Sequence, residues 1–342
     1  MEESLVIRVV GLFAIFLIGI VGVTLPFILS KYTPNGVYDW RIHAAALFGA
    51  GVLASASLVH LFQDAVEGFQ DAGEDGYPYT GLIVLFSALL MLGIETAATM
   101  VLYGNASAAD AERNIKPHAC MDLEHSQHNT ELADVTQSSS ENLLDNSKSV
   151  PVPGEEKSRD AEDGKADIER NSSKVKKEKK GLLSLVILSL ALYIHSVILG
   201  FSFGAQTDDS ATVGLLIAIV AHKGFAGFAL GVSALEAFGE GRGLKAKLLS
   251  LCVFVFATPV GIAAGIGYEE SVDDTNTRSY QLTTSVLTAI SSGMLLYIVF
   301  MEMLPKTFNV DFISRHSTFQ NLVFLAMLIL GAGLMSMLAI WT

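Results

Sequence analysis

Charge is what this sequence has least of. Of its 342 residues only 17% are Asp, Glu, Lys or Arg, where a soluble domain carries about 25%. With 51% hydrophobic residues, that excludes a wholly disordered chain and argues against an ordinary soluble enzyme. Basic residues are the scarcer kind, 22 against 35 acidic, for a formal net charge of −13. A nucleic-acid binder needs the opposite balance. Two cysteines are too few for a secreted disulfide scaffold. Cys120 stands in a polar stretch and Cys252 in an apolar one, so no bridge between them is expected. Short alternating strands, the mark of a membrane barrel, are missing. So is a glycine-rich phosphate-binding loop, which argues against coupling to ATP.

What the chain has instead is eight long apolar runs: 9–30, 42–63, 79–103, 181–207, 210–235, 248–268, 279–301 and 316–342. Two are interrupted by a single charge, Glu95 in the third and Lys223 in the fifth. A helix needs about 20 apolar residues to cross a bilayer. The expected fold is therefore all-α, a polytopic membrane bundle of eight transmembrane helices. The first run is too long for a cleaved signal, and Pro26-Phe27 stands where a small-residue cleavage site would be expected, so it is read as a retained helix.

The connections alternate in charge. Lys31 and Arg41, then Lys174, Lys176, Lys177, Lys179 and Lys180, then Arg242, Lys245 and Lys247, then Lys306 and Arg315 mark one side. Asp64, Glu67, Asp71, Glu74 and Asp75, then Asp208 and Asp209, then Glu269, Glu270, Asp273 and Asp274 mark the other. Positive residues stay inside, so both termini are expected to be extracellular. Residues 1–103 then hold spans one to three, 104–180 form a cytoplasmic loop, and 181–342 hold spans four to eight. The loop is rich in Ser, Asp, Glu, Asn and Lys, cannot bury a core, and is expected to be disordered. Its His118, Cys120, His125 and His128 fit no structural zinc spacing. Three spans, a pair, then three, with spans one and six starting on opposite sides, is the layout of an inverted repeat.

Ionisable groups inside a membrane are costly and mark sites. His195 is central in span four and His222 in span five, at nearly equal depth if the two helices are antiparallel neighbours. Gly200 and Gly204 on one, and Gly227 and Gly231 on the other, have the spacing that lets helices approach closely. Two midplane imidazoles suit a transition metal such as zinc or iron(II), with Ser196 and Lys223 beside them. The competing reading is two packing histidines, each bonded to a helix carbonyl. His60 and Asp64 share one face at the outer end of span two and could hold a divalent ion at an entrance. Glu95 stands in the inner half of span three and Glu302 ends span seven on the inner side, where either could line an exit or cap a polar contact.

These segments resemble the ZIP (ZRT/IRT-like) family of divalent metal-ion transporters. His195-Ser196-Val197-Ile198-Leu199-Gly200 is similar to the family's fourth-helix signature, and His222-Lys223-Gly224-Phe225-Ala226-Gly227 to its fifth. His60-Leu61-Phe62-Gln63-Asp64 resembles a His-Leu-Leu-Pro-Asp segment, with Gln63 for proline. Thr258-Pro259-Val260-Gly261-Ile262 and Gly293-Met294-Leu295-Leu296-Tyr297 look like further family segments. The resemblance covers all but the loop. It implies a 3+2+3 bundle with inverted repeats, a central site on helices four and five, and metal movement into the cytoplasm. His195, Ser196 and His222 would form the metal site, and His60, Asp64, Asp208 and Asp209 the entrance.

The chain departs from the pattern at Leu199 and Ala226, where many members carry glutamate, and at Lys223, where some carry a second-site ligand. One transported ion is expected, with the Lys223 ammonium in place of another. The expected cargo is zinc, then iron(II), as substrate and not as cofactor. Expected partners are divalent metal ions and the lipid bilayer, with a homodimer left open and no nucleic acid. The plasma membrane is the expected location. The rival reading is an intramembrane zinc hydrolase, which would need a third ligand and a general base; neither a HExxH motif nor a third midplane histidine is present.

Overall fold

The computed structural model describes residues 2–74, 76–114, 181–206, 209–238, 244–272 and 277–339. Among them eight helices are long and apolar enough to cross a membrane: α1 (Leu5–Tyr32), α2 (Trp40–Asp71), α3 (Tyr79–Val101), α4 (Gly181–Gly204), α5 (Thr212–Phe238), α6 (Lys247–Ser271), α7 (Arg278–Arg315) and α8 (Thr318–Leu338). No strand occurs among the described residues. In hydrocarbon every backbone N–H and C=O must be paired within the segment, and only a helix does that for a single span. The architecture is the expected all-α, eight-helix membrane bundle.

Three boundaries differ from the sequence expectation. The helix of span three runs on to Asn114, into the segment expected to be loop from residue 104. The rest of that loop, including Cys120 and its three histidines, lies outside the described residues. Span two does not stop at 63 but continues to Asp71, and span seven continues past 301 through Leu304–Thr307 before bending. Both overruns are polar, and for that reason a count of apolar residues misses them.

Close backbone approach sets which helices pair. A Cβ on Gly22 would collide with the Gly224 carbonyl, and one on Gly231 with Val23, so α1 lies against α5. Gly200 and Gly204 sit on Thr258 and Ile262, with Gly261 and Gly265 on Val197 and Phe201, so α4 lies against α6. Gly51 meets Leu328 and Gly331 meets Phe48, which pairs α2 with α8; Gly293 meets Val84 and Ser87, which pairs α7 with α3. This corrects the expectation that the glycines of spans four and five face each other: those of α4 face α6 and those of α5 face α1. The pattern is internally symmetric. Moving helices one to three onto six to eight and exchanging four with five converts the α1–α5 pair into α6–α4 and the α2–α8 pair into α7–α3. That is the inverted repeat in side-chain terms.

The two repeats also share an irregularity. A π-helical segment, Ala56–Leu61, interrupts α2, and another, Ile298–Met303, interrupts α7. Gly51 and His60 stand in the same positions relative to the first as Gly293 and Glu302 do to the second. The extra residue in a π turn widens the helix and re-aims the side chains after it, a device found at functional sites. The helices cross there, with Ser57 Oγ donating to the Ser292 carbonyl at 2.8 Å and Ser292 Oγ to the Ser57 carbonyl at 2.9 Å.

α2, α5 and α7 are the most buried spans, whereas α3 and α8 expose most of their apolar surface. At the outgoing end of α4, Arg8 donates to the Gly204 carbonyl at 2.8 Å and pairs with Glu269 at 3.2 Å, and Tyr280 donates to the Ala205 carbonyl. These bonds satisfy helix-end carbonyls that would otherwise be orphaned. The glycine contacts give a stability test. Gly204→Val and Gly331→Val are expected to lower thermal stability in detergent sharply, because backbone cannot yield and overpacking costs about 1–3 kcal/mol or more. Gly333→Ala, where nothing lies within 4 Å of the added atom, should leave the melting temperature unchanged.

Candidate metal-ion site and pathway

His195 on α4 and His222 on α5 are both buried, and their ring centroids are 6.0 Å apart. Two imidazoles sharing one zinc at Zn–N of about 2.0–2.1 Å place their centroids roughly 5–6 Å apart. The Ser291 carbonyl on α7 lies 3.3 Å from His195 Nδ1 and the Ser291 hydroxyl 2.6 Å from it. A carbonyl can only accept, so the tautomer that satisfies both contacts carries its proton on Nδ1. That leaves the lone pair on Nε2, and Nε2 has no partner. A hydrogen bond on the far nitrogen that fixes the tautomer is the usual support of a metal-binding histidine.

Neither nitrogen of His222 has a partner in hydrogen-bonding geometry; the Ala218 carbonyl one turn back offers a weaker polar contact. Leaving a buried polar atom unpaired costs about 1–3 kcal/mol. Of the five such side-chain atoms among the described residues, three belong to these two rings. The packing-histidine reading asks each ring to bond a helix carbonyl: the Ser291 carbonyl meets His195 Nδ1 and the Ala218 carbonyl lies near His222, while His195 Nε2 and both nitrogens of His222 have no partner in hydrogen-bonding geometry.

His222 forms the deep end of a cavity of about 370 Å³. His60, Asp64, Glu67 and Asp71 line one wall, one face of a single helix at i, i+4, i+7 and i+11, about 16 Å from first to last at 1.5 Å per residue. Ser202, Gln206, Thr284, Ser285 and Thr288 line the others. His60 Nε2 donates to the Met335 carbonyl at 3.2 Å. The structure thus brings His60, Asp64 and His222 to one cavity, with His195 beside His222. Among the described residues no three His, Cys, Asp or Glu side chains converge as a ready ligand set.

The other expected residues are elsewhere. Asp209 is exposed in the first turn of its helix, and Asp208 lies outside the described residues. Glu95 accepts from the Tyr297 hydroxyl at 2.7 Å. Glu302 accepts from Ser184 at 2.7 Å and lies 3.6 Å from the Lys306 ammonium. Neither Glu95 nor Glu302 lines the cavity that holds His222. Sequence reading missed Glu67 and Asp71, which it took for loop residues, and Ser291. A signal for Ser291 exists: Thr284, Thr288 and Ser291 repeat at helical spacing along the span.

The family model described as "ZIP Zinc transporter" matches residues 5–339. The chain belongs to the ZIP family. It is a multi-pass membrane protein of a transporter family, not an enzyme. A "Probable zinc transporter 8" of Arabidopsis thaliana is 27% identical over 99% of this chain and 87% of its own length. "Zinc transporter 5" of Oryza sativa subsp. japonica is 28% identical over 99% and 88%. "Fe(2+) transport protein 1" of Arabidopsis thaliana is 26% identical over 99% and 86%.

In this ZIP protein the residue beside His222 has an unusual setting. The Lys223 ammonium, fully buried, donates to Ser196 Oγ at 2.9 Å, to Thr258 Oγ1 at 2.7 Å and to the Phe254 carbonyl at 3.3 Å, and it lies 3.7 Å from the centre of the Phe254 ring. It pairs with neither Glu95 nor Glu302. A buried ammonium in a membrane helix costs about 2.5–3.5 kcal/mol; three oxygens and an aromatic face offset that. The Ser196 hydroxyl, expected beside the metal, is engaged by Lys223 instead.

Proposed function

We propose that this protein moves zinc, with iron(II) as a second cargo, into the cytoplasm by alternating access around His195 and His222. The observation that carries the reading is the buried imidazole pair beside a polar cavity, with Nε2 of His195 and both nitrogens of His222 lacking a partner in hydrogen-bonding geometry. Divalent-metal transport is the family's activity; the histidine site and the alternation are this reading's own content. On this reading the cavity opens to the outside, both termini are extracellular, and the membrane is the plasma membrane. A hydrated ion meets Asp71, Glu67 and Asp64 in turn, exchanges water for His60, and passes to the two imidazoles. Neutral imidazole suits both zinc and iron(II), and a site short of protein ligands releases its ion readily. The metal is substrate, and no resident cofactor is required. A hydrolase reading receives no support, since the family is one of transporters.

Purified protein in liposomes should take up radiolabelled zinc, and excess iron(II) should compete. Absence of saturable uptake of either ion would overturn the reading. The entrance residues act at the water interface, where hydration substitutes for them. His60→Ala and Asp64→Ala are therefore expected to raise the apparent KM for zinc about 3- to 10-fold, roughly 0.6–1.4 kcal/mol, with a smaller effect on maximal rate. If either were as inactive as a midplane histidine variant, the assignment of these residues to the entrance would be wrong.

A further inference from the structure

We propose that Lys306 is a tethered cation that keeps the inner end of the pathway shut by occupying Glu302, and that a departing divalent ion opens it by competing for the same carboxylate. The inference rests on the transport function proposed for the histidine pair.

Glu302 is 4% exposed and lies in the π segment of α7. It accepts from Ser184 of α4 at 2.7 Å, and Lys306, one turn on, stands 3.6 Å away and donates to Ser233 of α5 at 3.2 Å. One cluster therefore fastens α7 to both helices that carry the midplane histidines. Ser184 precedes His195 by the same number of residues by which Ser233 follows His222. In antiparallel helices that places both serines at one depth, about three turns to the inner side of the site. The cavity beside this cluster, lined by Ala229, Ser233, Glu236 and Glu302, measures about 40 Å³. That is room for no more than a few waters at about 10–15 Å³ each. The cavity on the opposite side measures about 370 Å³. A further space of about 400 Å³, lined by Tyr38, Ser184, Ser233, Glu236 and Lys306, lies at the inner end itself, so Lys306 and Ser233 line both that wide space and the narrow one that reaches Ala229.

The repeat symmetry sharpens the contrast. Glu302 and Lys306 occupy, relative to their π segment, the positions of His60 and Asp64 in α2. On the open side the second of these is an anion facing the cavity; on the closed side it is a cation joined to its neighbour. Lys306 also acts electrostatically on Glu236 across the small cavity. Its own side chain is 37% exposed, so its flexible stem can withdraw to water. A doubly charged ion arriving from His222 outcompetes a single ammonium for Glu302. Once Lys306 lets go, its bond to Ser233 of α5 is lost, and an ion held by Glu302 competes with Ser184 of α4 for the same carboxylate oxygen.

The test uses full-length protein in liposomes with Cys120 and Cys252 replaced by serine. Ala229→Cys reports on the inner side and Ser202→Cys on the outer cavity, each read as its rate of reaction with an impermeant thiol reagent. Lys306→Met is expected to speed Ala229→Cys labelling from the inner side about tenfold and to slow Ser202→Cys labelling from the outer side, with Lys306→Arg holding the parent rates. Glu302→Gln, which keeps shape and loses charge, should behave as Lys306→Met does and serves if that variant folds poorly. Manganese chloride on the inner side, an ion that prefers carboxylate to thiolate, should speed Ala229→Cys labelling in the parent and add nothing in Glu302→Gln. Unchanged labelling in both variants, an arginine variant that behaves like methionine, or no response to manganese in the parent would overturn the proposal. Labelling needs no uptake. The Lys306 effect should persist in a His222→Ala background, so failure of the latch and failure of the histidine site are distinguishable.

Discussion

Replacing either His195 or His222 by alanine is expected to abolish most zinc uptake, by more than about a hundredfold, with membrane insertion intact. Each ring presents at least one unpartnered nitrogen to the other's surroundings. The neighbours that could take over, Leu199 and Ala226, are apolar and buried. With only two protein ligands, loss of one leaves a hydrated ion facing a hydrophobic wall. Insertion should survive, because deleting an imidazole with an unsatisfied nitrogen removes a desolvation cost along with the packing it supplied. Ser291→Ala gives a graded companion result. It removes the 2.6 Å hydroxyl contact but leaves the Ser291 carbonyl at 3.3 Å to hold the Nδ1 proton, so the loss should sit at or below the low end of the roughly 10- to 100-fold range for such supporting contacts, between the parent and His195→Ala. The measurement is initial uptake at matched protein density in liposomes. Near-parental uptake in both histidine variants would mean that the pair is structural.

The second large effect is expected at Lys223. The unmodified protein should bind one ion per chain, because the ammonium already occupies the three-oxygen cage of Ser196, Thr258 and the Phe254 carbonyl. That cage is the chemistry of a cation site whose cation is part of the chain. Lys223→Glu combined with Ala226→Glu removes the positive charge and adds two carboxylates beside a freed Ser196 hydroxyl. The double variant should bind a second ion, hold the first more tightly, and turn over more slowly because release becomes limiting. Equilibrium binding counts ions per chain. Two ions on the unmodified protein, or no second ion on the double variant, would reject the substituted-site explanation. Lys223→Met separates charge from cage: it should stay folded, since a buried ion replaced by an apolar side chain of similar length is often neutral for stability.

Much of this protein was determined by its sequence alone. Eight apolar runs dictate eight helices, because a bilayer admits no other pairing of a single span's backbone. His195, His222 and Lys223 stand out because any ionisable group is conspicuous against an uncharged run, and the paired motifs around them identify the family. Periodicity in a membrane span carries less information than in a soluble helix, since lipid-facing and protein-facing positions are both apolar. For that reason the glycines of spans four and five, legible as contact residues, were assigned the wrong partners: a GxxxG spacing says that something approaches closely and not what. The same limit hid Ser291, an ordinary small residue until the fold sets it 2.6 Å from His195. It also hid the continuation of α2 through Glu67 and Asp71, where the polar side chains face a cavity inside the bundle. Lys223 shows the division most plainly. The sequence placed a charge beside the metal site, but only tertiary structure decided where it points, because Ser196, Thr258 and Phe254 reach the ammonium from two other helices. Separations of 27 to 35 residues along the chain become hydrogen bonds only once α4, α5 and α6 are packed, and the packing is fixed by glycine contacts that no local pattern specifies.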